Sequence, residues 1–376
     1  MTNLDAEPTE SLSQPAGWCG PRLELFEARE VPLGGIRAIT VRRTLPQRHL
    51  PTVGAWCFLD QFGPDEGPPM RVLPHPHTGL QTVTWPIRGQ IRHRDSLGND
   101  LLVKPGQLNL MTAGRGIAHS EFSEEGEGIF GLQFWAALPG SLPGADEDGG
   151  SAFQQVTDLP VLRGSGVELT VFTGSLALAD DGGTGPVATS PAVVHTELIG
   201  ADGSLAPGSM ARIALDPRHE HAVLVVEGAV EIDGQHIAPG PLAYLGAGRQ
   251  EIRISAASGE AAGGIRGDAS GGDGPQGDDT ATLDGSGARF VLLGGEPFTE
   301  DLVMFWNFVG RDHDEVARAR ADWEEQAGTA AEVLGEGNSW MEPGAQLRFG
   351  LVPGHGEDRI PAPQLPPVRL TPRRRR

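Results

Sequence analysis

Cysteine is nearly absent: Cys19 and Cys57 are the only two in 376 residues. Neither has a cysteine neighbour, which excludes a disulfide framework and a CxxC zinc site and fits a reducing compartment. Positive charge is also scarce. Lys and Arg number 29 against 50 Asp and Glu, giving a formal net charge of −21. That balance repels phosphate backbones and anionic membrane surfaces, so neither nucleic acid nor membrane is an expected partner. The one basic run, Arg373–Arg376, reads as a solvated end. Long apolar runs are missing: Ala222–Val226, the longest obviously apolar strand, is far too short to span a bilayer. The opening MTNLDAEPTESLSQPAGW lacks the apolar core of a signal peptide. The Gly-rich stretch 256–287 has no phosphate-loop pattern and no helix after it, which argues against a nucleotide site. Together these absences predict a soluble, cytoplasmic protein.

What is abundant is glycine, 54 residues, and proline, 31. Both fall between short runs of alternating apolar pattern, which favours a turn-rich all-β fold of the sandwich or jelly-roll type. Thr82, Thr84 and Ile87 alternate around Val83 and Trp85 as in a half-buried strand, and Asp95–Asp100 is a hairpin loop. The same strand–turn rhythm returns in the second half, which suggests a duplicated barrel. The expected organisation is a disordered lead over 1–22, a first barrel over 23–139, a linker with connecting strands over 140–191, a second barrel over 192–327, and a proline-rich tail over 328–376. Within the second barrel, 256–287 is too poor in large apolar residues to offset its ordering entropy and reads as a flexible insertion. One short helix is predicted at Asp312–Gln326, where Val316, Ala319 and Trp323 are spaced by three and four.

Chemistry concentrates between His75 and Glu121. The stretch opens with His75-Pro76-His77 and closes with His119-Ser120-Glu121. In an extended chain residues i and i+2 face the same way, so both pairs look into one cavity if the two ends lie on neighbouring strands. Three imidazoles and a carboxylate then form a nitrogen-and-oxygen site suited to iron, manganese, nickel, copper or zinc. His93 reads as a solvated hairpin residue, with a hydrogen bond to the ligands as the alternative. Gln81 and Gln133 are candidates for orienting ligands or substrate, and Arg115 for a salt bridge beneath the site. Trp56, Phe58, Phe62, Phe134 and Trp135 read as barrel core, with an aromatic pocket as the alternative. The second half carries its own His219-Glu220-His221. There Gly228 follows His221 by seven positions, whereas Gly89 follows His77 by twelve. Aligning Ala247-Gly248-Arg249 with Ala113-Gly114-Arg115 puts Arg253 in the place of His119, and an arginine stays protonated. The second barrel is therefore expected to hold no metal, with His219 and His221 on a polar rim.

Several of these segments resemble the pirin family of the cupin superfamily: HPHTGLQTVTW, HRDSLGN, PGQLNLMTAGRGIAHSE and GLQFW in the first half, MFWNFVGRDHDEVARARADWE in the second. The likeness runs from about Leu23 to Glu325, outside the insertion. It implies a bicupin, two jelly-roll β-barrels face to face, with metal in the N-terminal one. Carried over by motif, the ligands fall on His75, His77, His119 and Glu121. The family is described as iron-binding, so Fe(2+) is the implied cofactor, with other divalent transition metals suited to the same donors. Some members act as quercetin 2,3-dioxygenases and others as nuclear transcriptional cofactors in animals. The resemblance thus implies a metal-dependent dioxygenase acting on a small aromatic such as quercetin, with Glu121 as catalytic base. Its alternative is a non-catalytic metal- or redox-sensing protein that regulates a partner protein. A monomer is expected. Gln81 stands where the family commonly has glutamate, which leaves the ligand set intact and changes the local acidity.

Overall fold

The computed structural model describes residues 11–13, 20–33, 39–65, 69–124, 128–140, 150–164, 166–180, 183–257, 287–335 and 347–372. The expected insertion 256–287 therefore lies almost wholly outside the described residues, as does most of the 1–22 lead. Within that lead, Ser11–Ser13 forms a strand antiparallel to Leu302–Phe305.

Short β-branched and aromatic runs, each cut off by Gly, Pro or Asx turns, form antiparallel strands throughout. The first barrel pairs two sheets. Its larger sheet has seven strands in the order Ala152–Val156, Leu108–Thr112, Leu80–Arg88, Ile129–Ala137, Trp56–Asp65, Ile39–Leu45 and Arg29–Leu33. Its smaller sheet has four, in the order Arg71–His77, Ile117–Ser123, Ile91–Asp95 and Asp100–Val103. The second barrel repeats the plan with sheets of seven and six strands. Two strands reach beyond their place in the sequence. Glu24–Phe26 completes the second barrel's larger sheet, and Ala152–Val156 completes the first barrel's.

The two larger sheets face each other across one apolar layer. Trp56, Trp85 and Phe134 from the first barrel meet Phe172, Leu224, Tyr244 and Leu293 from the second. Burying each such side chain contributes roughly 1.5–3 kcal/mol. This layer explains why Leu80–Arg88, read from its alternation as half-buried, is buried at every position except Arg88. Thr82 and Thr84 look into the barrel, while Val83 and Trp85 look at the other barrel. Polar groups tie the layer together. Trp56 Nε1 donates to the carbonyls of Ile199 (3.0 Å) and Gly294 (3.1 Å), and Tyr244 Oη and Gly54 N donate to Glu220 at 2.6 and 2.9 Å. Gly54 has φ of 54°, and a Cβ there would stand 2.7 Å from the Gly295 Cα, so only glycine lets the barrels approach this closely.

The helix runs over His313–Gly335, longer than its apolar spacing predicted. Asp312 Oδ1 caps the Glu315 N–H and Glu315 Oε2 accepts the Arg311 N–H, an N-terminal arrangement that satisfies free donors. Its Val316, Ala319 and Trp323 pack with Phe305, Phe308 and Phe349. Of the expected tail 328–376, residues 328–335 belong to the helix, and the described residues 347–372 are coil that is not loose. Phe349 O accepts from Ala118 N (3.0 Å) and Ile360 N donates to Pro74 O (2.8 Å), so the tail straps the outer face of the first barrel's smaller sheet. No helix among the described residues is long and apolar enough to cross a membrane.

Candidate metal centre

The smaller sheet of the first barrel carries the two i, i+2 pairs on adjacent strands. His119 lies opposite His75 on one side and Asp95 on the other, and Glu121 lies opposite His93. The pairing with Arg71–His77 shifts register between His119 and Glu121, the mark of a bulge that re-aims side chains. His75, His77, His119 and Glu121 point into the barrel. Pro74, Ala118 and Ser120 point out, under the helix and tail, where Ser120 Oγ sits 2.9 Å from His355 Nε2.

All four inward side chains are 0% exposed. The rings of His75 and His119 stand 4.3 Å apart by centroid, and His77 is 5.1 Å from each. Among the described residues two groups bring ligand atoms within 4.8 Å of one another: His75, His77 and His119, and His93, His119 and Glu121. The three imidazoles thus form one group, and Glu121 joins through His119. Hydrogen bonding fixes two of the rings. His75 Nδ1 lies 2.8 Å from the Leu73 carbonyl and His77 Nδ1 3.2 Å from that of Asn307. A carbonyl only accepts, so each Nδ1 carries the proton. Burial holds His77 down to about 3, and burial together with the His77 charge holds His75 well below its ordinary value. Both rings are therefore neutral, and each Nε2 is a bare lone pair. His77 Nε2 is 3.1 Å from His119 Nε2, and His75 Nε2 is buried with no hydrogen-bond partner. Buried acceptors converging without donors are costly unless an electron-pair acceptor sits among them. The donor set fits a borderline divalent metal ion.

Around this group the barrel interior is polar on one side and aromatic on the other. The Thr84 hydroxyl lies between Glu121 Oε1 (2.9 Å) and Gln133 Oε1 (3.0 Å). Phe58 and Trp135 stack at 3.9 Å, and the Trp135 ring stands edge-on to His77 at 5.1 Å. Trp56 and Phe134 belong to the layer between barrels instead.

Several expectations change. His93 is not solvated: it is 1% exposed, and its Nδ1 lies 3.4 Å from His119 Nδ1. The signal was present in the sequence, since His93-Arg94-Asp95 is a third i, i+2 pair on a strand beside the other two. Gln133 reaches the site but Gln81 does not; it bonds Thr112 Oγ1 and the Val193 carbonyl. Arg115 is exposed on its turn, where its carbonyl accepts from Arg348 Nε, and it does not lie beneath the site. The two histidines of the second half part company: His219 precedes the strand Glu220–Glu227 and lies 3.1 Å from the exposed Glu197, whereas His221, on that strand, is not on a rim but fully buried with both ring nitrogens unpartnered. Asn307 carries no such signal in the sequence. Its carbonyl reaches His77 because Trp306 turns the hairpin Leu302–Phe305/Phe308–Gly310 with φ of 56°, and Thr78 pairs directly with Phe308.

Two facing β-barrels with a histidine-rich cluster inside one define a bicupin. The Pirin family profile matches residues 38–136, and that of the Pirin C-terminal cupin domain matches 272–328. A Pseudomonas aeruginosa protein named "Putative quercetin 2,3-dioxygenase" is 37% identical over 92% of this chain and 91% of its own. A Caulobacter vibrioides pirin-like protein is 30% identical over 80% of this chain and 92% of its own. The crystal structure of a quercetin 2,3-dioxygenase from Acinetobacter baumannii matches with a TM-score of 0.70 and 32% identity, over 92% of this chain and 96% of that one. The chain belongs to the pirin family.

Proposed function

We propose that this pirin-family protein is a metal-dependent dioxygenase of flavonol-type aromatics, with Fe(2+) held by His75, His77, His119 and Glu121. The observation that carries the reading is the set of buried imidazoles that converge on one point, with the Nε2 atoms of His75 and His77 unprotonated and that of His119 3.1 Å from His77's. The likeness to proteins named as quercetin 2,3-dioxygenases supports the substrate class.

When bound, the ion supplies Lewis acidity toward a substrate oxygen and a meeting place for dioxygen. The chain does the rest. Glu121 accepts the proton of the flavonol 3-hydroxyl, and the Thr84 hydroxyl at 2.9 Å keeps its Oε1 oriented. The stacked Phe58 and Trp135 give the site a dry aromatic wall beside His77, which excludes water from the electron-rich enolate. Overall, flavonol and dioxygen yield a ring-opened ester and carbon monoxide. The test is the loss of quercetin's visible absorbance with the iron-reconstituted full chain. The reading expects loss in air and none under anaerobic conditions. It is overturned if His77→Ala bleaches quercetin as fast as the wild type.

A second reading, a metal- or redox-sensing regulator of a partner protein, is favoured by one observation. The four side chains are 0% exposed, which a sensor tolerates and which a flavonol dioxygenase must open.

A further inference from the structure

The tautomer of His119 decides whether the cluster can take an ion at all. If His119 Nε2 carried the proton, it would donate to His77 Nε2 at 3.1 Å, and the two rings would satisfy each other. Only a proton on Nδ1 leaves a third lone pair facing the other two. Among the described residues, no backbone carbonyl fixes this ring as Leu73 and Asn307 fix the rings of His75 and His77. The group facing His119 Nδ1 is His93 Nδ1, at 3.4 Å.

We infer that His93 and Asp95 are positioning residues that hold the proton of His119 on Nδ1. The argument starts in the loop. Asp95 Oδ1 accepts from Leu97 N (2.9 Å), Asn99 N (3.1 Å) and Asn99 Nδ2 (3.0 Å), and Oδ2 accepts from Asn99 Nδ2 at 2.8 Å. Hydrogen bonds from that many donors fix the orientation of this carboxyl group. Its Oδ2 lies 3.1 Å from His93 Nε2, so His93 places its own proton on Nε2. With that one proton facing a carboxylate oxygen, which only accepts, the Nδ1 of a neutral His93 presents a lone pair to His119. His119 then donates Nδ1–H and keeps Nε2 bare. The His93 ring is held flat against Phe153 at 4.6 Å and 26°. The strand register puts both residues in place, with Asp95 opposite His119 and His93 opposite Glu121. This is the orienting role that partners of metal-ligating imidazoles play, relayed here through an additional histidine from the Asp95–Asn99 loop.

The inference rests on the metal reading of the cluster, and the experiment separates the two. Long-range proton–nitrogen NMR on the metal-free full chain reads the His119 tautomer directly. Zn2+ titration against a chelating dye reads affinity, and thermal melts confirm folding. His93→Phe keeps ring volume and removes both nitrogens; it is expected to shift the His119 proton toward Nε2 and to weaken Zn2+ binding by about 10–100-fold. His93→Asn restores an acceptor oxygen near the Nδ1 position and is expected to recover the wild-type tautomer and most of the affinity. A bare His119 Nε2 in His93→Phe, or no recovery in His93→Asn, overturns the relay. Absence of Zn2+ uptake by the wild type would sink the metal reading instead, while the metal-free spectra still decide the tautomer.

Discussion

Glu121 has two tasks at the scale of the single side chain, and they can be separated. As a ligand it contributes charge and an oxygen; as a base it contributes a proton acceptor. Glu121→Gln keeps an oxygen and loses basicity, so turnover of quercetin should fall by about 10²–10⁴-fold, while metal content measured on the same samples falls far less. Equal loss of both would assign Glu121 to binding alone. His221 offers a test of burial. It is fully buried, and burial, with the neighbouring His219 charge, lowers its pKa to about 3. The unfolded value is about 6.5. Between these values the unfolded chain binds a proton that the folded chain does not, so stability falls as pH drops below about 6.5. At pH 5 this one group costs about 2 kcal/mol relative to pH 7.5. His221→Leu should flatten that part of the profile, read by urea unfolding at the two pH values. An unchanged slope would contradict the burial argument.

Among the elements, the helix and tail form a clamp behind the ligand strands. Trp323 is buried and donates Nε1 to the Ile360 carbonyl at 3.0 Å, with the Arg359 guanidinium 4.8 Å over its ring. Trp323→Ala should cost about 3–5 kcal/mol in urea unfolding; a loss under about 1 kcal/mol would mean that the tail is not docked. Elements whose signal is local were legible in the sequence. The strand alternation, the Asx hairpin after Asp95, the helix stripe of Val316, Ala319 and Trp323, and the two i, i+2 pairs all show without a structure. What was illegible depends on contacts between distant segments. Leu80–Arg88 looked half-buried because no pattern reveals a second barrel against its outer face. His221 looked like a rim residue because its HxH pair starts too late to match the first barrel's ligands, and no pattern shows that it is buried and that Glu220 is buried at the layer between barrels. Asn307 acts through its backbone carbonyl, which its side chain does not advertise.

For the whole molecule, the two barrels share one apolar layer, so the first barrel's site is built partly on the second half of the chain. Trp56→Phe keeps the ring in that layer and leaves the Ile199 and Gly294 carbonyls without their donor. We expect about 1–3 kcal/mol of destabilisation and a single thermal transition by calorimetry; two separated transitions would show that the barrels unfold independently. The central claim is that one ion sits in the first barrel, gripped by His75, His77, His119 and Glu121. Metal content of the reconstituted full chain tests it most directly, with His77→Ala and His221→Ala measured alongside. The account predicts one ion per wild-type chain, near-complete loss in His77→Ala and full retention in His221→Ala. Retention in His77→Ala, or loss in His221→Ala, would contradict it.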